Sequence, residues 1–258
     1  MHKKVIFLDL DGTIISHKTN SVPDSTKDAI KKLQQNGHFV VIATGRVPAL
    51  FYGIDKELGI DSFVAANGRI VEHKGEIILD NFIDKKVVEK LVKTVYDLQI
   101  DIGFENYTDY VLNSKFTDLP NKFSDVFHLE YPKVHHNYHL DNKVHQLVLF
   151  YNDTDYTKFE KQFPTLNFSF SNQYGLDINE KGGLKELGVK KLLSHLGIDK
   201  KHSIAVGDGF NDISMIQYCE IGVAMGNAHQ DVKNHANIVA DSVDDDGIFK
   251  LFTKLNLI

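Results

Sequence analysis

The chain has 258 residues, 42% of them hydrophobic and 25% charged, with a formal net charge of -6. That composition suits a soluble globular protein, and the negative balance argues against a nucleic-acid footprint. The single cysteine, Cys219, excludes an internal disulfide and a thiolate metal cluster, and it reads as a small buried side chain.

The chain opens MHKKVIFLDLDGT. Its apolar run is broken by Asp9 too early for a signal peptide, and no other run approaches the ~20 residues of a membrane span. A cytoplasmic protein, with no membrane, nucleic-acid or obligate protein partner, is expected. Val5, Ile6, Phe7 and Leu8 form a short apolar run closed by Asp9, Asp11 and Gly12, the pattern of a buried parallel strand. DSTKDAIKKLQQN predicts a helix over 24–36, with Ala29, Ile30 and Leu33 on one face and Gly37 as its stop. FVVIATGR predicts a strand running into Thr44, Gly45 and Arg46. VPALFYGIDKELG predicts a second helix, and FVAAN a third strand before a turn at Asn67-Gly68. Strand alternating with helix signals an open parallel α/β sheet, where ligands bind beyond the carboxyl ends of the strands. Asp9, Thr44 and Asn67 should therefore converge.

After about residue 80 the texture changes. DKKVVEKLVKTVYDLQ predicts an amphipathic helix with Val87, Leu91, Val95 and Leu98 on its stripe. DIGFEN and DYVLNS alternate as half-exposed strands around a turn near Thr108; QLVLFY, LNFSFS and YGLDIN add strands, with a helix around DYTKFEKQF. An antiparallel sheet with one solvated face is expected, in an α+β module spanning 84–181. From Leu184 the first texture returns: a helix in LKELGVKKLLSHLG, strands in SIAVGDGFND, IGVAMGNA and NIVAD, and a last helix in DGIFKLFTKL. The fold class is α/β: a Rossmann-like parallel-sheet core of residues 1–83 and 182–258, interrupted by an inserted α+β cap.

The chemistry follows from where the acids fall. Two carboxylates as close as Asp9 and Asp11 resist joint ionisation, so a cation or a shared proton must offset their repulsion. GDGFND repeats the arrangement, an apolar strand running into Asp208 and Asp212. Asp9, Asp11 and Asp208 would give oxygen ligands suited to Mg²⁺, which leaves positions for water or phosphate. Carboxylate attack on a phosphate monoester needs the developing negative charge neutralised. KGGLKE offers the lysine, at Lys185 or Lys181; the Thr44 hydroxyl, the Gly45 N–H and the N–H groups just past Asp9 can hold phosphoryl oxygens. Asp11 is then placed to protonate the leaving alkoxide and later to activate water.

DLDGT at 9–13, ATGR at 43–46, KGxxK at 181–185 and GDGxND at 207–212 resemble the four motifs of the haloacid dehalogenase-like phosphatases. More narrowly, with ANG at 66–68, GVAMGNA at 222–228 and DDDG at 244–247, they resemble the Cof-type sugar-phosphate phosphatases with a large inserted α/β cap. The resemblance implies Asp9 as nucleophile and Asp11 as acid/base. It implies Mg²⁺ on Asp9, Asp208 and the Asp11 main-chain carbonyl, and phosphate held by Thr44, Lys185, Asn211 and the backbone at Leu10 and Gly45. Asp212 would orient Lys185 or metal-bound water. The residue after the family's lysine is usually small; here it is Glu186.

Other readings stand beside these. Asp212 also suits the N-cap of the helix in ISMI. Arg46 reads as a substrate contact or as a salt-bridge partner at a helix start. DLDGTIISHKTN lacks the glycine and glutamate of a calcium loop, and the acids of SVDDDG read as a solvated helix start. His128, His135, His136, His139 and His145 read as surface histidines rather than a metal site; Phe104, Tyr107, Phe168 and Phe170 read as core. The expected function is a Mg²⁺-dependent phosphatase acting on a small phosphorylated metabolite, with the cap as lid and specificity surface. A phosphomutase and a silent phospho-ligand sensor are the alternatives; a receiver-like signalling domain would not need so large an insertion.

Overall fold

The computed structural model describes residues 3–182 and 184–258. Gly183, a variable position of the 181–185 motif, lies outside the described residues, as do Met1 and His2. The chain divides into two compact units, Met1–Arg46, Phe51–Asp80 and Leu184–Ile258 in one, Val47–Leu50 and Asn81–Gly183 in the other.

In the first unit the apolar runs become strands. β1 (Val5–Leu8) is buried at every position, helix α1 (Asp24–Gln35) turns Ala29, Ile30 and Leu33 inward, and β2 (Phe39–Ala43) follows. The second helix is not continuous as expected. A 3-10 turn at Pro48–Leu50, assigned to the second unit, and the short α2 (Ile54–Glu57) of the first share the segment. Tyr52 and Gly53 between them stand at φ 50° and 82°, which a right-handed helix does not admit. β3 (Ser62–Ala65) ends in the 3-10 turn Ala66–Gly68. A hairpin of β4 (Ile70–His73) and β5 (Glu76–Asp80), not foreseen from sequence, comes next. Lys74 and Gly75 at φ 52° and 81° supply the two left-handed residues of its turn.

The second unit begins with α3 (Lys85–Asp97). Its buried stripe is Val88, Leu91, Val92 and Val95; Leu98, expected on it, is the C-cap residue and stays exposed. β6 (Asp101–Glu105), β7 (Tyr110–Leu112), α4 (Leu119–Phe127), β8 (Lys133–Val134) and α5 (Tyr138–Asp141) follow. The unit closes with β9 (Gln146–Phe150), α6 (Thr157–Gln162), β10 (Leu166–Asn172) and β11 (Gly175–Glu180). Its sheet runs β10-β11-β9-β6-β7-β8, antiparallel except for β7 beside β8. The central β6 and β9 are buried along their whole length, whereas the alternation in DIGFEN predicts a half-exposed β6.

The chain then returns to the first unit through α7 (Lys185–Leu196), β12 (Ser203–Gly207), α8 (Ile213–Tyr218), β13 (Ile221–Ala224), α9 (Gln230–Lys233), β14 (Ile238–Val239) and α10 (Gly247–Lys254). The core sheet runs β14-β13-β12-β1-β2-β3-β4-β5, parallel as far as β3 and antiparallel beyond. β1 lies between β2 and β12, so strand order reverses there and a crevice opens at the carboxyl ends. α7 packs Val189, Leu192 and Leu193 against Val5, Phe7, Val41 and Val64. Each such side chain contributes roughly 1.5–3 kcal/mol on burial. Among the described residues no helix is long and apolar enough to cross a membrane.

Candidate active site

Asp9 continues β1 by one bond, its N–H donating to the Val206 carbonyl at 3.0 Å, and its side chain is buried as a result. Lys185 reaches it from the first turn of α7. Its Nζ donates to Asp9 Oδ1 at 2.6 Å and to Asp212 Oδ1 at 2.5 Å, with no exposed surface. That reach depends on how closely α7 lies against the sheet. A Cβ on Gly68 would stand 2.4 Å from the Leu184 carbonyl oxygen, and one on Gly188 2.4 Å from Val64 Cγ1. The tight turn before it carries Ala66 and Asn67 at φ 49° and 53°, a strained conformation of the kind that functional sites hold in place. Lys181 is exposed, and Glu186, the departure from the family pattern, turns outward to pair with Lys190 at 2.5 Å.

Asp212 does not cap α8 with its side chain. Its Oδ2 accepts the N–H groups of Asp208 and Gly209 at 3.0 and 2.9 Å, while Oδ1 holds Lys185. Both oxygens are thereby engaged, although oxygens of Asp9, Asp208 and Asp212 all lie within 4.8 Å of one another. Arg46 grips Asp11 in a bidentate pair, Nε to Oδ2 at 2.8 Å and Nη2 to Oδ1 at 2.5 Å. Thr44 is buried, and its hydroxyl oxygen accepts the Arg46 N–H at 3.0 Å. Asn211 Nδ2 donates to Asn67 Oδ1 at 2.9 Å. A Cβ on Gly45 would stand 3.3 Å from Asn67 Oδ1 and 3.4 Å from Asn211 Nδ2, so the three strand ends converge there. Leu10, buried between the two aspartates, accepts three backbone bonds, from Thr13, Ile14 and Ile15, that tighten the loop.

The electrostatics are unbalanced. Burial, together with Asp212, Asp208 and Asp11, raises the Asp9 pKa well above the usual carboxylate value, against the opposing pull of Lys185. Burial and Asp212 push Asp208 up to about 7. Lys185 is disfavoured by burial, but the charges of Asp212 and Asp9 outweigh this and raise its pKa. With all four carboxylates (Asp9, Asp11, Asp208, Asp212) ionised, the two basic side chains (Lys185, Arg46) would leave two negative charges uncompensated. A divalent cation that prefers oxygen ligands fits that deficit.

Two asparagines outside the expected ligand set take part, of which Asn67 was expected only to converge with Asp9 and Thr44. Asn67 orients Asn211, and Asn227 donates to Asp208 Oδ2 at 3.0 Å and to the Gly12 carbonyl at 2.8 Å. Asn227 follows β13 as Asp208 follows β12, so the strand-end rule could have found it. Elsewhere the histidines divide: His128, His135 and His136 are exposed, whereas His139 and His145 are buried, contrary to the surface reading. Phe104 and Phe168 are core; Phe170 is 40% exposed and packs edge-on against Tyr156 instead. Cys219 is buried, and burial raises its thiol pKa to about 11.

Residues 6–252 match the haloacid dehalogenase-like hydrolase family. YkrA of Bacillus subtilis, which carries a phosphatase name, is 34% identical over 100% of both chains. A structure of a protein from Geobacillus kaustophilus superposes with a TM-score of 0.93 at 32% identity, covering 100% of each chain. The sugar phosphatase BT4131, of subclass IIB, superposes with a TM-score of 0.87 at 28% identity, covering 99% of this chain and 100% of that one. The chain belongs to the haloacid dehalogenase-like hydrolases, in their Cof-type branch with its phosphatase-named relatives.

Proposed function

We propose that the protein is a Mg²⁺-dependent phosphatase of small phosphate monoesters, sugar phosphates or related metabolites, working through an aspartyl-phosphate on Asp9. The observation that carries this reading is the buried Lys185 between Asp9 and Asp212, in a site two charges short of balance once its four carboxylates ionise. The acid chemistry of the site fits Mg²⁺, which Asp9, Asp208 and the Asp11 main-chain carbonyl would hold; when bound it would neutralise phosphoryl charge and orient the ester.

An oxygen of Asp9 attacks phosphorus as the ester P–O bond breaks. Lys185, the Thr44 hydroxyl, Asn211 and the backbone at Leu10 and Gly45 hold the phosphoryl oxygens as their charge develops. Asp11 gives its proton to the departing alkoxide, and the alcohol leaves. Ionised Asp11 then takes a proton from a water whose oxygen attacks phosphorus; the bond from the Asp9 oxygen to phosphorus breaks, releasing inorganic phosphate and restoring Asp9 as a carboxylate and Asp11 as its protonated acid. Arg46 orients the Asp11 carboxyl through its two hydrogen bonds. Asp212 keeps Lys185 aimed at Asp9. The inserted unit, residues 84–181, is assigned the choice of the organic group.

A panel of phosphorylated metabolites, assayed for inorganic phosphate with Mg²⁺ and with a chelator, tests this. Stoichiometric phosphate release that needs Mg²⁺ and no bisphosphate activator is expected, which separates hydrolysis from a mutase or a silent sensor. Release from no ester, or release unaffected by the chelator, would overturn the reading.

A further inference from the structure

The geometry points to Asn227 as a positioning residue for the cation: its amide holds Asp208 in the one orientation that leaves Oδ1 for the metal. This rests on the metal-dependent reading of the site. Asp208 leaves β12 in a loop, and Asp212 fixes only its main chain, through the Asp208 N–H at 3.0 Å. The side chain is fixed separately. Asn227 Nδ2 donates to Asp208 Oδ2 at 3.0 Å, and the same nitrogen donates to the Gly12 carbonyl at 2.8 Å. The amide thereby ties the loop after β12 to the loop that carries Asp9 and Asp11.

Two further contacts define the position. Gly12 sits so close beneath the carboxylate that a Cβ there would stand 2.1 Å from Asp208 Oδ2, at φ 77°. Asp208 Oδ2 is therefore bounded by Gly12 on one side and by the amide on the other. The amide cannot rotate to present its oxygen instead, because Oδ1 of Asn227 accepts the Val243 N–H at 3.0 Å. Donor and acceptor ends are each committed, so the side chain is oriented although it lies at the surface. A carboxylate held this way presents a pre-set ligand; without the amide it must be ordered by the cation itself, and the affinity for the cation falls.

Calorimetric titration of the purified protein with Mg²⁺ alone, without substrate, tests this, paired with the melting temperature in chelator. Asn227→Ala should weaken Mg²⁺ binding by about 10–100-fold, the usual effect of losing a partner that orients a metal ligand, while the melting temperature without Mg²⁺ stays near that of the parent. Val243→Pro is the second variant. It acts through the N–H that bonds Asn227 Oδ1, and Val243 opens the 3-10 turn Val243–Asp245 after an extended Ser242, where proline is accommodated. Removing that N–H should also weaken Mg²⁺ binding, by a smaller factor. If the parent binds Mg²⁺ and both variants bind it equally tightly, the role of Asn227 is overturned and the metal-dependent reading stands. If the parent itself binds no Mg²⁺, both fall.

Discussion

At the amino ends of β2 and β3 the core unit has a cavity of about 340 Å³, bordered by Gln34, His38, Ser62, His73 and Lys74. At the carboxyl ends of β1 and β12 it gathers Asp9, Asp11, Asp208 and Asp212 around Lys185. Both ends are polar and both contain buried hydrogen-bonded side chains. At the amino end the partners are matched: the Ser62 hydroxyl lies 2.9 Å from Asp61 Oδ1 and 2.8 Å from His73 Nδ1, and His38 Nδ1 accepts the Lys4 N–H at 3.1 Å. Asp61, Ser62 and His73 have the composition of a hydrolytic triad but not its wiring. The serine sits between acid and imidazole, whereas a nucleophile needs the imidazole in the middle. Burial and the nearby Lys4 lower the His38 pKa and favour the neutral ring. The lesson is that cavity volume and polar lining do not locate chemistry; uncompensated buried charge does.

The comparison breaks most visibly at Lys185. Lys185→Met should cost about 10²–10³-fold in turnover, the scale of removing one donor from a developing oxyanion. It should also destabilise the fold by about 3–5 kcal/mol in denaturant unfolding, because Asp9 and Asp212 lose the partner of a buried pair. An effect on stability alone would leave Lys185 as structure rather than machinery.

A smaller effect should appear in the pH dependence of the metal-free protein. The folded-state pKa values of Asp9 and Asp208 are raised, the latter to about 7, above the unfolded value of 3.8. Between those values the folded state binds more protons than the unfolded one, so these groups' contribution to stability is full at low pH and lost as pH rises toward 7. Mg²⁺ binds the ionised carboxylates and should restore what is lost. The rise in melting temperature on adding Mg²⁺ should therefore be larger at about pH 8 than at about pH 5; an equal rise at both would remove the electrostatic basis of the contrast.

The smallest effect belongs to the other end of the sheet. Ser62→Ala and His73→Ala should each change stability by about 1 kcal/mol, the net worth of an ordinary hydrogen bond, and leave phosphate release at the parent rate. A loss of turnover comparable to that of Lys185→Met would mean the amino end takes part after all.

How far the sequence disclosed this follows from the physics of each element. Parallel strands buried on both faces read as unbroken apolar runs, so β1, β2, β12 and β13 were legible, and the acids that end them stood out. The hairpin β4–β5 carries a weaker signal because its outer strand is exposed or half-exposed along its length. The break between Pro48 and Ile54 depends on left-handed backbone at Tyr52, a residue type that does not announce it. In the site, the residues whose chemistry is carried by charge were visible in the motifs. Asn67 and Asn227 were not assigned, because an amide gains its role only from its partners, and Gly12 and Asn227 lie 215 residues apart. Neither did the sequence distinguish Arg46 as a substrate contact from Arg46 as a partner; the bidentate pair with Asp11 is a matter of geometry.

The central claim is that Asp9 itself takes the phosphoryl group. Rapid quench of the enzyme with a radiolabelled phosphate ester and Mg²⁺, followed by borohydride reduction of any acyl phosphate and peptide sequencing, measures this directly. The account predicts label on the quenched protein before reduction, homoserine at position 9 after it, and neither in Asp9→Asn. Turnover of the ester at the parent rate by Asp9→Asn, or label at another residue, would contradict it.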